Sequence, residues 1–419
     1  MSLVGRAISE LIKNDEPVKA WVAVNQALNE DPDAPELLYL AGCVLRSQGH
    51  NGLALPLFSK ALSKDQKQPN LWMHYAATLH DLNQWDDAIK AFTVIHAMIP
   101  KDPMPPANMA ATCTQQGRWR DALTWVEKSL KFDPENYIAH ISASYACLAL
   151  GRWAEGWKHA EYLYGQCLTE MVKDCKEVII ECADRLVNLM KRNFPGVTVY
   201  GTLKEAGQGW SKDHQIDAHI HISALPKFYR KTEAEFTRVA YIKPDQKRVD
   251  YWKAWLSTLP KPWIGVSWQG GIQNTQKHLR TLKLEQLAPV LELPGSFIDL
   301  SYKDNSREVE AWNARGGSQI IRPKLDKDNY DDTLALIAAL DEVVTVTTAV
   351  VHACGAMGRT CRVLVPEVPM WRYAYRCDEG MIWYPRGSIE MHRQTPGEDW
   401  CMTIKRLAKD MKPRILLAA

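Results

Sequence analysis

The chain has 419 residues, enough for two or three domains, and its 46% hydrophobic and 24% charged residues are the proportions of a globular fold. Its 51 basic and 49 acidic side chains nearly cancel, leaving a net charge of +2 without long runs of either sign, so neither a nucleic acid nor an anionic membrane is indicated as partner. No segment approaches the roughly 18 uncharged apolar residues of a membrane span, and the ten cysteines form neither CxxC pairs nor a compact framework, which predicts residence in a reducing cytoplasm.

The opening stretch, MSLVGRAISELIKNDE, sets Leu3, Val4, Ile8, Leu11 and Ile12 at helical spacing with charges between them. A signal peptide has an unbroken apolar core instead, so no export is expected. A repeat of 34 residues then organises residues 1–160: Ala20, Ala54, Ala88 and Ala122 recur at that interval, with Gly156 next. Gly49, Asn83, Gly117 and Gly151 mark turns between paired helices, and Trp85, Trp119 and Trp153 follow the last three of these turns. Pro32, Pro100 and Pro134 close repeats, with Gln66 at the remaining equivalent position. Small residues at Gly42, Ala76, Ala110 and Ser144 let the first helix of each pair approach its partner, and Phe58, Phe92 and Val126 fill the seam. The pattern resembles the tetratricopeptide repeat, in about five copies. A helix pair of this kind cannot bury its own apolar face, so neighbours stack into a curved α-solenoid whose concave surface binds a protein or peptide, or serves only to space or dimerise the chain. Trp72, His74, Asn108 and Tyr145 either line that groove or pack between repeats.

Beyond about residue 174 the period changes. KEVIIEC reads as a strand, ADRLVNLMKRNF as an amphipathic helix, PGVTVYG and QIDAHIHISALP as strands, and RVDYWKAWLSTL as a helix ending at Pro260. After Pro260-Lys261-Pro262 the alternation is cleaner: strands in PWIGVSW, SFIDLSY, QIIRP, EVVTVT and RVLVP, separated by helices in LEQLAPVLEL, NSREVEAWNARG, DDTLALIAAL and AVVHACGAMG. That order predicts an α/β region with a parallel sheet covered on both faces, whose ligands bind beyond the carboxyl ends of the strands. At such an end Thr347 and Thr348 finish a strand and cap a helix, so that their hydroxyls and the N–H groups of residues 349–351 suit a phosphate, with His352 one turn further in. A satisfied, buried histidine at an ordinary corner is the alternative. The loop WQGGIQNTQKHLRT, containing Gly270, Gly271, Lys277 and Arg280, reads as a cationic lid for a diphosphate or as a solvated basic loop. In the segment from Pro369 to Trp400, aromatics such as Trp371 lie beside Arg393 and Gln394, placed either to stack on a base or sugar or to pin the segment across the sheet. Cys354 and Cys361 read as buried small hydrophobes rather than a metal pair.

From about Lys176 to Leu407 the chain resembles family 9 glycosyltransferases, the heptosyltransferase-like GT-B proteins. The resemblance rests on VIIECADRLVNLMKRNFPGV, the WxGG loop ending in Leu279-Arg280-Thr281, Tyr330-Asp331-Asp332-Thr333, TTAVVHACGAMG, and WRY…WYP…HRQ…GEDW. It implies two Rossmann-like halves, a reduced acceptor half at 161–260 and a nucleotide-sugar-binding half at 261–419, working without metal or resident cofactor. It further implies donor-phosphate contacts from Thr347, Thr348 and His352 with Arg280 or Lys277, and Asp331 or Asp332 near the cleft as catalytic carboxylate; Gly270, Gly271, Trp371, Arg393 and Gln394 are the remaining donor-binding candidates. The glycine-rich loop and aspartate that relatives place ahead of VIIEC are absent, as is an acidic residue at Thr347. The expectation is therefore a nucleotide-sugar-dependent transferase for hexosyl or heptosyl groups, whose repeats select a protein acceptor. The alternatives are a non-catalytic tetratricopeptide scaffold and a module that senses a nucleotide sugar without turnover.

Overall fold

The structure, a computed structural model, describes residues 2–14, 16–159, 168–202, 212, 214–220, 225–270, 277–325, 329–375 and 380–418. Their contacts cluster into two units, 1–160 and 161–419, so the segments 161–260 and 261–419 belong to one unit.

The first unit is a tetratricopeptide array of five helix pairs: α1 (Leu3–Lys13) with α2 (Pro17–Glu30), α3 (Pro35–Ser47) with α4 (Asn51–Lys64), α5 (Pro69–Asp81) with α6 (Trp85–Met98), α7 (Met104–Gln115) with α8 (Trp119–Leu130), and α9 (Tyr137–Ala149) with α10 (Trp153–His159). Each turn within the last four pairs reverses through one left-handed residue: Gly49 at φ 78°, Asn83 at 61°, Gly117 at 70° and Gly151 at 76°. Glycine enters that region without a Cβ clash, and asparagine is the side chain that tolerates it best. The recurring alanines 20, 54, 88 and 122 are wholly buried. At Gly42 an added Cβ would come within 2.5 Å of the Phe58 ring, which is why this seam needs a small residue. His74 packs between the rings of Tyr39 and Phe58, at centroid distances of 5.4 and 5.9 Å, and the Trp72 indole donates to the Gln66 carbonyl at 2.9 Å. The Asn108 amide lies 3.6 Å from the Met73 sulfur, so these side chains join neighbouring repeats.

The second unit begins with α11 (Leu168–Asp174) and a parallel two-stranded ladder, β1 (Ile179–Cys182) and β2 (Thr198–Gly201), connected by α12 (Val187–Asn193). The strand expected in QIDAHIHISALP does not form in its described part: residues 215–220 are irregular and Ile216 is 45% exposed, so the alternating apolar side chains have no face to bury. Two helices, α13 (Pro226–Tyr229) and α14 (Gln246–Leu256), precede the main sheet.

That sheet contains β3 (Trp263–Ser267), β4 (Ser296–Asp299), β5 (Ile320–Ile321), β6 (Glu342–Val346), β7 (Cys361–Val365) and β8 (Ile389–Arg393), all parallel, in the order β5-β4-β3-β6-β7-β8. Strands β3, β4 and β7 are buried along their whole length and β6 from Val343 onward, the burial expected of parallel strands packed on both faces. The intervening helices are α15 (Ala288–Leu291), shortened where LEQL winds into a 3₁₀ turn, α16 (Ser306–Asn313), α17 (Tyr330–Ala339), α18 (Ala349–Met357) and α19 (Trp371–Ala374). The sequence pattern missed β8 and the closing α20 (Trp400–Ala418). As an edge strand β8 carries Glu390, His392 and Arg393, a polar composition that hides its period. Ile404, Leu407 and Met411 of α20 complete one core with Ile264, Val344 and Leu364 of the sheet. Among the described residues no helix is long and apolar enough to cross a membrane.

Candidate functional site

The strand order fixes where a ligand can enter. From β3 the chain winds outward to β5, then returns to lay β6 on the other side of β3. The chain leaves β3 and β6 toward opposite halves of the sheet, which makes the carboxyl edge between them the crevice position where sheets of this order usually bind their ligands. Gly270 follows β3 and Thr347-Thr348 follow β6, so three of the expected residues meet at this reversal. A Cβ on Gly270 would lie 2.6 Å from the Thr348 methyl, so only glycine permits this approach. Gly271 lies outside the described residues.

Thr348 is the N-cap of α18, its hydroxyl accepting from Val350 N–H at 3.2 Å and its carbonyl from Val351 N–H at 3.2 Å. This corrects the expectation that three N–H groups face a ligand: the cap takes two of them, leaving that of exposed Ala349 at the positive end of the helix. Buried Arg280 donates to the Thr347 carbonyl at 2.7 Å. Burial pulls its guanidinium below the usual value, a pull opposed by the hydroxyls of Tyr373 and Tyr302, and it remains a cation. Lys277, His278, Thr281, Leu282, Lys283 and Gln286 line a cavity of about 480 Å³. Thr281 connects that cavity to the crevice, donating to the Gly270 carbonyl at 3.3 Å.

His352 departs from expectation. One ring nitrogen lies 2.7 Å from the Tyr384 hydroxyl and the other 3.3 Å from that of Tyr373, so both face protein partners rather than an open anion site. Burial, assisted by the Arg280 charge, lowers its pKa to about 4 and keeps the ring neutral near pH 7. Trp371 is only 2% exposed and meets Trp383 edge to face at 5.9 Å, so its ring belongs to the core and presents no stacking surface. Arg393 and Gln394 leave β8, two strands or roughly 10 Å from β6. The Gln394 amide ties together the loops after β7 and β8, donating to the Glu398 carbonyl and accepting from Glu367 N–H.

Asp331 and Asp332 lie in the first turn of α17, behind an Asn329 N-cap, and both are buried. Asp331 pairs with Arg192 of α12 at 2.5 Å. One oxygen of Asp332 accepts from Arg248 at 2.6 and 2.9 Å and from the Trp252 indole at 2.8 Å. Neither carboxylate caps the helix. Their contacts instead anchor α12 and α14 to α17, a geometry suited to positioning.

Glu308 of α16 was not singled out by the sequence. One of its oxygens accepts from the Trp268 indole at 2.8 Å and the Gln269 amide at 3.0 Å, while the other accepts from Leu284 N–H at 2.7 Å. It therefore clasps both ends of the 268–284 loop. A lone glutamate in a helix's first turn gives no sequence signal of that role, because its partners are set by tertiary packing.

Residues 45–105 match the tetratricopeptide repeat family. Protein FlbA of Caulobacter vibrioides is 31% identical over 214 residues, covering 48% of this chain and 35% of FlbA. The chain thus spans about a third of the length of that relative. Among solved structures, MamA from Desulfovibrio magneticus RS-1 is 16% identical with a TM-score of 0.35, over 38% of this chain and 92% of that one. YrrB, described as a TPR protein with an unusual peptide-binding site, is 18% identical with a TM-score of 0.34, over 37% of this chain and 80% of that one. The repeat assignment rests on the family match and the geometry of the helix pairs.

Proposed function

We propose that the C-terminal unit binds a nucleoside diphosphate sugar in the crevice at the strand reversal and transfers the sugar, a hexosyl or heptosyl group, to a protein recruited by the repeats. The observation that supports this reading is the meeting of Gly270, the Thr348-capped start of α18 and the Arg280 guanidinium at one carboxyl-edge crevice. In transfer, an acceptor hydroxyl oxygen bonds to the anomeric carbon as the bond from that carbon to the phosphate oxygen breaks. The diphosphate departs with added negative charge, and a base takes the acceptor proton. Arg280, Lys277 and Ala349 N–H are this chain's groups suited to the departing charge. The reading needs no metal.

A second reading, a module that senses the nucleotide sugar without turnover, is favoured by one observation. Asp331 and Asp332, the carboxylates nearest to the base role in sequence order, are both buried in ion pairs. Calorimetric titration of the chain with ADP, GDP, UDP and CDP tests the site common to both readings. Saturable binding of at least one is expected, and no binding by any at millimolar concentration would overturn both. Chromatographic detection of diphosphate released from the matching nucleotide sugars then separates transferase from sensor.

A further inference from the structure

Several aromatic side chains leave the carboxyl ends of the strands, and most are unavailable to a ligand. Trp268 after β3 and Trp371 and Tyr373 after β7 are 0%, 2% and 1% exposed. Tyr302, three residues past the end of β4, is 63% exposed. Strand β4 adjoins β3 in the sheet, so the loop carrying Tyr302 starts one strand spacing, about 4.8 Å, from the strand that leads to Gly270. The Lys303 ammonium lies over the Tyr302 ring, 5.7 Å from the centroid, adding positive charge beside this aromatic side chain.

We infer that Tyr302 is the stacking platform for the base of a nucleoside diphosphate whose phosphates occupy the crevice at Gly270 and Thr348, an inference that rests on the diphosphate site proposed above. A planar base gains on an exposed tyrosine what the buried tryptophans cannot give, and stacking discriminates a nucleotide from bare diphosphate without requiring one particular base. The outer half of a sheet of this order accommodates a nucleoside, because a mononucleotide runs from the central strand toward the neighbouring strands.

The test uses the full chain and compares ADP, GDP, UDP and CDP with inorganic pyrophosphate by calorimetry. The wild type binds at least one nucleoside diphosphate more tightly than pyrophosphate. Tyr302→Ala weakens that nucleotide by about 5- to 150-fold and leaves pyrophosphate unchanged, while Tyr302→Phe keeps nucleotide affinity within about twofold of wild type. Because the ring is exposed, either substitution leaves the fold intact, which a circular dichroism melt verifies. Unchanged nucleotide affinity in Tyr302→Ala overturns the inference while leaving the diphosphate site standing, as does an equal loss for nucleotide and pyrophosphate. Absence of binding by nucleotide and pyrophosphate alike to the wild type removes the diphosphate site and the inference with it.

Discussion

Replacing Gly270 by alanine puts a methyl group where the structure has least room. The new Cβ would sit 2.6 Å from the Thr348 methyl, about 1 Å inside the optimal separation of two carbon atoms. Thr348 has little freedom to retreat. Its hydroxyl caps α18 by accepting from Val350 N–H at 3.2 Å and lies 3.2 Å from the Thr345 hydroxyl, so rotating the methyl away sacrifices a cap worth about 0.5–2 kcal/mol. Moving the loop instead strains a packed site, at about 1–3 kcal/mol. We expect Gly270→Ala to destabilise the β6–α18 segment by about 1–3 kcal/mol. Thr348→Ser keeps the capping hydroxyl and removes the opposing methyl, so it should be nearly neutral alone and restore most of the loss in the double variant. Hydrogen exchange by mass spectrometry, on peptides spanning 342–358 under a urea series, reads this segment separately from the repeats. A Gly270→Ala cost that is the same with Thr348→Ser as without it would refute the argument from close approach.

Other outcomes follow from the remaining contacts. A double-mutant cycle on Asp332→Asn and Arg248→Gln should give a coupling of about 1–2 kcal/mol in urea unfolding, below the value for a fully buried pair because Arg248 is 40% exposed; zero coupling would remove the anchoring role. His352, with a folded pKa of about 4 against an unfolded value near 6.5, adds no pH dependence above about pH 6.5. Between about pH 6.5 and 4 the unfolded chain takes up a proton that the folded ring refuses, so stability falls as pH is lowered. The urea midpoint of His352→Gln should fall less steeply across that window, and an identical slope would contradict the buried neutral ring. In the repeats, Asn83 holds φ 61°, so Asn83→Gly should raise the thermal midpoint and Asn83→Val lower it through a penalty of about 1–2 kcal/mol. A Val variant as stable as wild type would show that this turn relaxes elsewhere.

The repeat array was legible in the sequence because its determinants are local and recur. The recurring buried alanines, the left-handed turn residues and the prolines that close repeats each act within one 34-residue unit, and each unit meets the next in the same way. The start of α18 was legible for a related reason: Thr348 bonds an N–H only two residues ahead. Strand and helix order in the main sheet could be read from alternating periods, apart from the polar edge strand β8 and the helix that follows it, whereas the strand expected in QIDAHIHISALP does not form in its described part. Only the tertiary structure decided the order of the strands, since pairing joins residues far apart in the chain and five similar apolar runs do not declare their neighbours. It also decided which marked residues face the crevice. The aromatic character of Trp371 and the basicity of His352 are visible in sequence, but a core contact with Trp383 and two tyrosine hydroxyls determine what those side chains can reach. Likewise Asp331 and Asp332 look alike as adjacent carboxylates; Arg192, Arg248 and Trp252, brought from 80 or more positions away, tie them to neighbouring helices.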